Sequence, residues 1–408
     1  MSRAALANEA TQGNFSSDVG KVLTQMPLSL TEDERMLAST ANAFFAEHSP
    51  LTRLRRIRDS HDERGYSQEL YKQMAELGWT AIPFPESEGG LGLGVTGATL
   101  VSEAMGRNLA GEPFVSSVLL AAQLLVQEGS SAQRASWLAP AIAGEKVLAF
   151  AHSELASRYD LAHVGARAAA STTAQRGFTL NGEKRAVLGG ALADAYLVSA
   201  RTSGDARSPE GISLFVVPAG TPGLKVTRQW RIDSRNAVIL ELTNVQVPEE
   251  ALVGARDRAL PTIEAAVDRA TVALCGEMLG AMSAAFDGTL SYLKERKQFN
   301  VPIGTFQALK HRAAKLFIEI ELARSAVLAA ARALDESGSE AAALVSVAKA
   351  RCSDAYVLVA NEAVQMYGGI GMTDEHDIGF FMKHARVCEL TFGDAAHHRD
   401  RYARLSGY

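Results

Sequence analysis

Apolar positions change their spacing twice along this chain. After a polar, small-residue stretch, Thr31-Glu32-Asp33-Glu34 opens a segment in which Leu37, Phe44 and Phe45 recur on one helical face. A hydroxyl at the N-cap and a carboxylate three residues on form a capping box, because each side chain satisfies an amide of the other residue. The same period predicts helices over Ser67–Leu77, Ala98–Arg107 and Val115–Glu128. In the first of these Leu70, Met74 and Leu77 face inward and Gly78 is the stop. From Val147 to Gly254 the period shortens. The runs Val147–Ala151, Phe178–Leu180, Ala195–Ala200, Ile212–Val217 and Val238–Leu242 read as strands. Asn181-Gly182 and the loop Thr202–Gly211 read as turns between them. Beyond Pro261, suited to a first helical position, long helical segments run to Leu293, over Phe306–Asp335 and over Glu340–Met366. Long helices with short connections pack as a bundle.

The expected fold class is α+β and multidomain. A flexible tail (1–27) precedes an N-terminal α-helical domain (28–146), a middle β domain of sandwich or barrel type (147–254) and a C-terminal helical bundle (255–408). Composition agrees: 408 residues, 47 % apolar and 21 % charged, exclude a wholly disordered chain and call for two or three domains. A formal net charge of −5 gives no electrostatic footprint for nucleic acid or an anionic membrane. Cys275, Cys352 and Cys388 stand far apart without a Cys-x-x-Cys, so neither a disulfide framework nor a zinc knuckle is expected. The apolar stretch Val115–Val126 is too short to span a bilayer. The expected setting is cytoplasmic, without membrane or nucleic-acid partners. Gly92-Leu-Gly94-Val-Thr-Gly97 has the spacing of a dinucleotide fingerprint but no preceding strand. Asp374-Glu375-His376-Asp377 reads as a solvated loop rather than a metal cluster, and His397 and His398 as surface residues.

Four motifs in order carry a family resemblance. Gly78-Trp79 followed by Pro85-Glu86-Ser87-Glu88-Gly89-Gly90 resembles the N-terminal signature of the acyl-CoA dehydrogenases. Leu180-Asn181-Gly182-Glu183-Lys184 resembles their mid-domain hairpin. Glu295-Arg296-Lys297-Gln298-Phe299 with Pro302-Ile303 and Phe306-Gln307 resembles their flavin-tail segment, and Gln365, Gly368, Gly369 and Gly371 match a Q-x-x-G-G-x-G. The resemblance spans about Leu30 to Leu405 and is similar to the small-subunit type named for pimeloyl-CoA. It implies α,β-desaturation of an acyl-CoA thioester with FAD, a carboxylate taking the α-proton while the β-hydrogen leaves as hydride. It also implies an electron-transferring flavoprotein as acceptor.

The cofactor half of the pattern is present. A dianionic diphosphate wants guanidinium forks and close backbone approach. Alone, Arg296 reads as a solvated charge and Gly368-Gly369 as a helix C-cap. Together, and in family order, Arg296, Phe299, Gln365, Gly368 and Gly369 read as residues that hold FAD bound mainly by a neighbouring subunit. The catalytic half is altered. Counting from Asn181-Gly182 puts Ala186, Val187 and Leu188 where the family has a Trp and a flavin-contacting Thr. Ser153 keeps a hydroxyl at one flavin position, whereas Arg158 and Tyr159 put bulk where small residues should admit substrate or flavin. Both positions of the family's base lack a carboxylate: they hold Phe392 and Ala270. Asp394 is the nearest carboxylate, with a capping or ion-pair role as its plainer reading, and Asp268 and Glu389 stand behind it.

Three functions fit. The first is the base-lacking subunit of a hetero-oligomeric dehydrogenase, α2β2 with a homologous partner whose FAD site this chain completes. The second is a self-sufficient, divergent flavoenzyme on the same fold. The third is a non-catalytic scaffolding subunit. The acyl group is not legible; Arg158 reads as a surface charge first, with pairing to a distal carboxylate as the other reading.

Overall fold

The capping box at Thr31 forms as its residues dictate: the Thr31 amide donates to the Glu34 carboxylate (2.9 Å) and the Glu34 amide to the Thr31 hydroxyl (3.2 Å). The computed structural model describes residues 28–171 and 177–408; the expected tail, 1–27, lies outside the described residues. Helix α1 (Glu32–His48) is followed by α2 (Leu51–Asp59), α3 (Gln68–Glu76) and α4 (Gly94–Arg107). Gly78 ends the α3 segment with φ 78°, a left-handed angle that glycine adopts at little cost. Leu77, expected inward, is instead 47 % exposed, because the chain has already left the helical period at the cap. The predicted helix over 115–128 begins as a π-wound stretch, Phe114–Ala121, and continues as α5 (Ala122–Glu128).

The middle of the chain forms one eight-stranded, mostly antiparallel sheet from β1 (Leu148–Ala151), β2 (Arg167–Ala170), β3 (Gly177–Leu188), β4 (Ala195–Arg201), β5 (Ile212–Pro218), β6 (Leu224–Trp230), β7 (Asn236–Pro248) and β8 (Leu252–Val253). The order is β6-β7-β3-β2-β4-β5-β8, with β1 parallel to β4. Asn181-Gly182 is not a hairpin turn. Strand β3 runs straight through it, and the register against β7 shifts between Leu180 and Gly182. The dipeptide supplies a β-bulge, and a Cβ on Gly182 would meet Ala166 Cβ at 2.6 Å. Strands β2 and β6 had no expectation behind them. Burial of both ends of β6 is slight, so no alternation marks it.

The last zone contains α6 (Leu260–Glu295), α7 (Gln307–Asp335), α8 (Ala341–Tyr367), α9 (Ile378–Leu390) and α10 (Ala395–Leu405). Pro261 lies in the first turn of α6. A small hairpin of β9 (Lys297–Gln298) and β10 (Val301–Pro302) joins α6 to α7. Among the described residues no helix is long and apolar enough to cross a membrane.

Helix α6 is held against α4 at a distance only glycine permits. A Cβ on Gly280 would sit 1.8 Å from the Glu103 carbonyl oxygen, one on Gly106 1.9 Å from that of Glu277, and one on Gly276 2.6 Å from that of Thr99. This contact fixes where α6 presents Glu277 to the centre of the molecule. Gly280→Ala therefore forces the helices apart. It should cost about 3 kcal/mol or more, the upper range for overpacking a well-packed contact, read as a lower denaturation midpoint; an unchanged midpoint would show that the helices can slide.

Candidate functional site

Two surfaces take up the residues singled out above. The first is one end of the bundle. Chain direction makes α6 and α8 finish at the same end, and the Tyr292 and Tyr367 rings meet there with centroids 4.5 Å apart. Arg296 caps α6 and is exposed. Among the described residues no carboxylate pairs with it. In the adjoining hairpin Phe299 and Asn300 both adopt positive φ, 52° and 64°. Two left-handed residues make the tight turn that β-hairpins favour. The turn lifts Phe299 into solvent at 86 % exposure. A large aromatic in that conformation is uncommon and points to use rather than packing. At the end of α8, Gln365 is exposed, and Gly368 turns the chain with φ 68°. A Cβ on either Gly368 or Gly369 would meet nothing within 4 Å. Nothing inside the chain requires glycine at 369, so the bare backbone there suits approach from outside. Exposed guanidinium, ring, amide and open backbone are a donor set that fits the diphosphate and adenosine end of FAD.

The second surface is a cavity of about 60 Å³ where the N-terminal helices, the sheet and the bundle meet. Phe392 and Leu188, from the base position and the ring-contacting strand, share its wall. Ala270 is fully buried in the apolar core instead. Phe392 has φ 59° and is pinned in place. The Lys349 ammonium donates to the Gly393 carbonyl (2.7 Å), and His398 Nε2 donates to that of Phe392 (3.0 Å). The turn expected to carry a base is thus held in place around an apolar ring. His398 is buried rather than on the surface.

Asp394 is an N-cap. Its carboxylate accepts from the His397 amide at 2.9 Å. Asp268 is buried and makes a bidentate pair with Arg401 (2.7 and 2.8 Å), and Glu389 pairs with Arg386. Ser153 is exposed, and its carbonyl accepts from the Arg185 amide at 2.8 Å. Arg158 is exposed with φ 47°. Tyr159 packs its ring on His397 of α10, centroids 5.2 Å apart.

The cavity also exposes groups that the sequence did not single out. Three carboxylates line it, Glu112, Asp233 and Glu277. Each already has a guanidinium: Arg53 holds Glu112 through two bonds (2.7 and 2.9 Å), Arg231 holds Asp233 (3.1 Å), and Arg235 holds Glu277. Glu277 also accepts from His384 Nε2 (3.0 Å), so the proton of a neutral His384 sits on Nε2 and Tyr356 donates to Nδ1 (3.0 Å). Burial alone would raise the Glu277 pKa; the Arg235 charge and the His384 bond outweigh it and hold the carboxyl below its ordinary value. Burial lowers His384, and Arg235 lowers it further.

The comparisons with known proteins settle the family. Models of the acyl-CoA dehydrogenase N-terminal, middle and C-terminal domains match residues 31–145, 149–245 and 260–406. The chain belongs to the acyl-CoA dehydrogenase family. It is 30 % identical over 341 residues to a probable acyl-CoA dehydrogenase, YngJ, of Bacillus subtilis, covering 81 % of this chain and 88 % of that one. Butyryl-CoA dehydrogenase of Megasphaera elsdenii superposes with a TM-score of 0.84 at 26 % identity, covering 93 % and 99 % of the two chains. A chain of the ChsE4–ChsE5 complex of Mycobacterium tuberculosis superposes with a TM-score of 0.83 at 28 % identity, covering 94 % and 100 %. Acyl-CoA dehydrogenases are FAD-dependent oxidoreductases. Tested against that cofactor, the bundle-end surface fits its tail. The cleft does not fit its ring, because Ala186, Val187 and Leu188 offer no hydroxyl and Leu188 shares the cavity wall with charged pairs.

Two outcomes follow from these roles. Asp394→Asn should keep the cap and leave turnover of the working assembly unchanged, whereas Asp394→Ala should cost about 1 kcal/mol of stability; loss of turnover in the Asn variant would restore Asp394 as a base. Glu277→Ala strands a buried guanidinium and should cost about 3–5 kcal/mol. The wild type should lose stability in acid. A depressed carboxyl stabilises above the unfolded value of about 4.3 and loses that contribution as pH falls through its folded pKa, while a buried neutral His costs stability below about 6.5. Midpoints measured from pH 7 to about pH 2 check the direction, the His384 contribution falling first and the Glu277 contribution below the unfolded carboxyl value.

Proposed function

We propose that this chain is the base-lacking subunit of a hetero-oligomeric acyl-CoA dehydrogenase, arranged α2β2 with a homologous partner. Its bundle end holds the tail of an FAD whose ring lies in the partner, and the partner supplies the carboxylate. One contrast carries this reading. The tail residues Arg296, Phe299, Gln365, Gly368 and Gly369 face outward with open backbone, while all three carboxylates in the chain's own cleft are tied to arginines and Phe392 stands at the base position.

The chemistry explains why the contrast matters. Desaturation takes an α-proton onto a carboxylate and a β-hydride onto flavin, giving the enoyl thioester and reduced FAD. A base must be free to accept its proton at the substrate carbon. Glu277, clamped by Arg235 and His384 and with a depressed pKa, is poorly placed and too weak a base for that task. The similarity to a chain of the ChsE4–ChsE5 complex supports a partnered assembly. In the partner's site, Arg296 offers a charged fork to the FAD diphosphate. The exposed Phe299 ring and the Gly368–Gly369 backbone flank it. The acyl group belongs to the partner's pocket, and an electron-transferring flavoprotein is the acceptor that the family suggests.

Flavin stoichiometry tests this. The chain purified alone should be colourless, and co-expressed with its homologous partner it should carry one FAD per αβ pair. Arg296→Ala should strip flavin from that complex without dissociating it. One FAD per chain in the lone protein would overturn the shared site, and retention of flavin by the Arg296 variant would favour a scaffolding role.

A further inference from the structure

The mismatch between cleft and flavin ring has a structural counterpart that goes further than a missing base. Arg235 comes from the start of β7, in the middle domain. Its guanidinium reaches Glu277 on α6 of the bundle and, through Nη2, the carbonyl of Ala110 in the N-terminal domain (3.0 Å). One side chain therefore bonds to both other domains at the cavity between Leu188 and Phe392. Asn236, next along, ties the middle domain to the N-terminal one. It donates to Arg64 O (2.8 Å) and Ala191 O (3.0 Å) and accepts from the Ala191 amide (2.9 Å). Beside the Phe392 turn, the Tyr159–His397 ring contact ties the middle domain to α10.

We propose that this junction is a built-in substitute for a ligand: the Arg235–Glu277–His384 network occupies and seals the cleft, so that this subunit excludes acyl thioester and flavin ring and each αβ pair has one working site. The site count rests on the hetero-oligomer reading above; the seal does not.

Volume and charge both argue for it. About 60 Å³ accommodates a few water molecules, whereas small-molecule sites run to hundreds of cubic ångströms. The wall charges cancel pairwise, Arg53 with Glu112, Arg231 with Asp233 and Arg235 with Glu277, and His384 is neutral. No unpaired charge remains to recognise a charged ligand. An apolar chain entering would have to separate buried ion pairs, which leaves each partner desolvated and unpaired. Closure is thus set by the chain's own residues.

Cys388 reports on the seal. It lines the cavity, 2 % exposed, and lies 3.2 Å from His384 Nε2. Cys275 and Cys352, both fully buried in the bundle, serve as internal controls for global opening. The experiment is alkylation of the αβ complex with iodoacetamide, each cysteine followed by peptide mass spectrometry. In the wild type Cys388 should react as slowly as the two controls, and added FAD or octanoyl-CoA should change nothing. Glu277→Ala should speed Cys388 about tenfold over the controls, as expected when a site opens locally below the global unfolding free energy. The paired change Arg235→Met with Glu277→Leu should restore slow reaction, because matched apolar groups can replace a buried ion pair. Should the single variant fail to fold, the paired variant decides. Fast alkylation of wild-type Cys388 that octanoyl-CoA or FAD suppresses would overturn the seal, whatever the flavin stoichiometry. Slow alkylation with one FAD per lone chain would sink the shared site and leave the seal standing.

Discussion

A carboxylate is buried where three domains meet, and it is tolerable there only because a guanidinium from another domain reaches it. Glu277 is placed by the α4–α6 contact, which exists because Gly106, Gly276 and Gly280 let two backbones touch. Arg235 immediately precedes β7, whose first residues lie against the N-terminal domain at Ala110. Separating the domains would expose two charges, but removing either partner would bury one alone, and the second change is far costlier. The ion pair therefore specifies domain arrangement as well as filling space. The tautomer of His384 follows from that constraint, because its Nε2 donates to the Glu277 carboxylate.

The two surfaces of the chain show opposite treatments of the same physics. In the cleft every charge is satisfied internally and the backbone turn at Phe392 is locked by Lys349 and His398. At the bundle end the polar groups are left for something outside. There Phe299 is left-handed and highly exposed, and a Cβ at Gly369 would meet nothing within 4 Å, the features on which the shared-cofactor proposal rests.

Much of this was legible beforehand, because it depended on local chemistry. The Thr31 box, the Gly78 stop, the long helices and the order of zones follow from capping and period. So did the absence of a carboxylate at 392 and 270, since composition at a counted position needs no fold. Asn181-Gly182 misled: the same dipeptide that makes a hairpin turn also makes a bulge, and only the β7 partner strand decides between them. Asp394 was visible as a carboxylate near the base position, but its use as a cap depended on where α10 begins. His397 and His398, near the C-terminus, read as surface residues. In the fold one packs obliquely against Tyr159 and the other is buried under the Phe392 turn.

The charge network left no mark in the sequence. Arg235, Glu277 and His384 lie 42 and 107 residues apart along the chain, in segments whose local patterns read as an ordinary strand start and two apolar helices. What the sequence by itself determined was which elements form, which family motifs are present and which residues stand at positions counted from them, because these depend on residues close together. What only the tertiary structure decided was that the space left behind is filled by paired charges, since a buried ion pair is a relation between distant segments and has no meaning until packing removes the water between them.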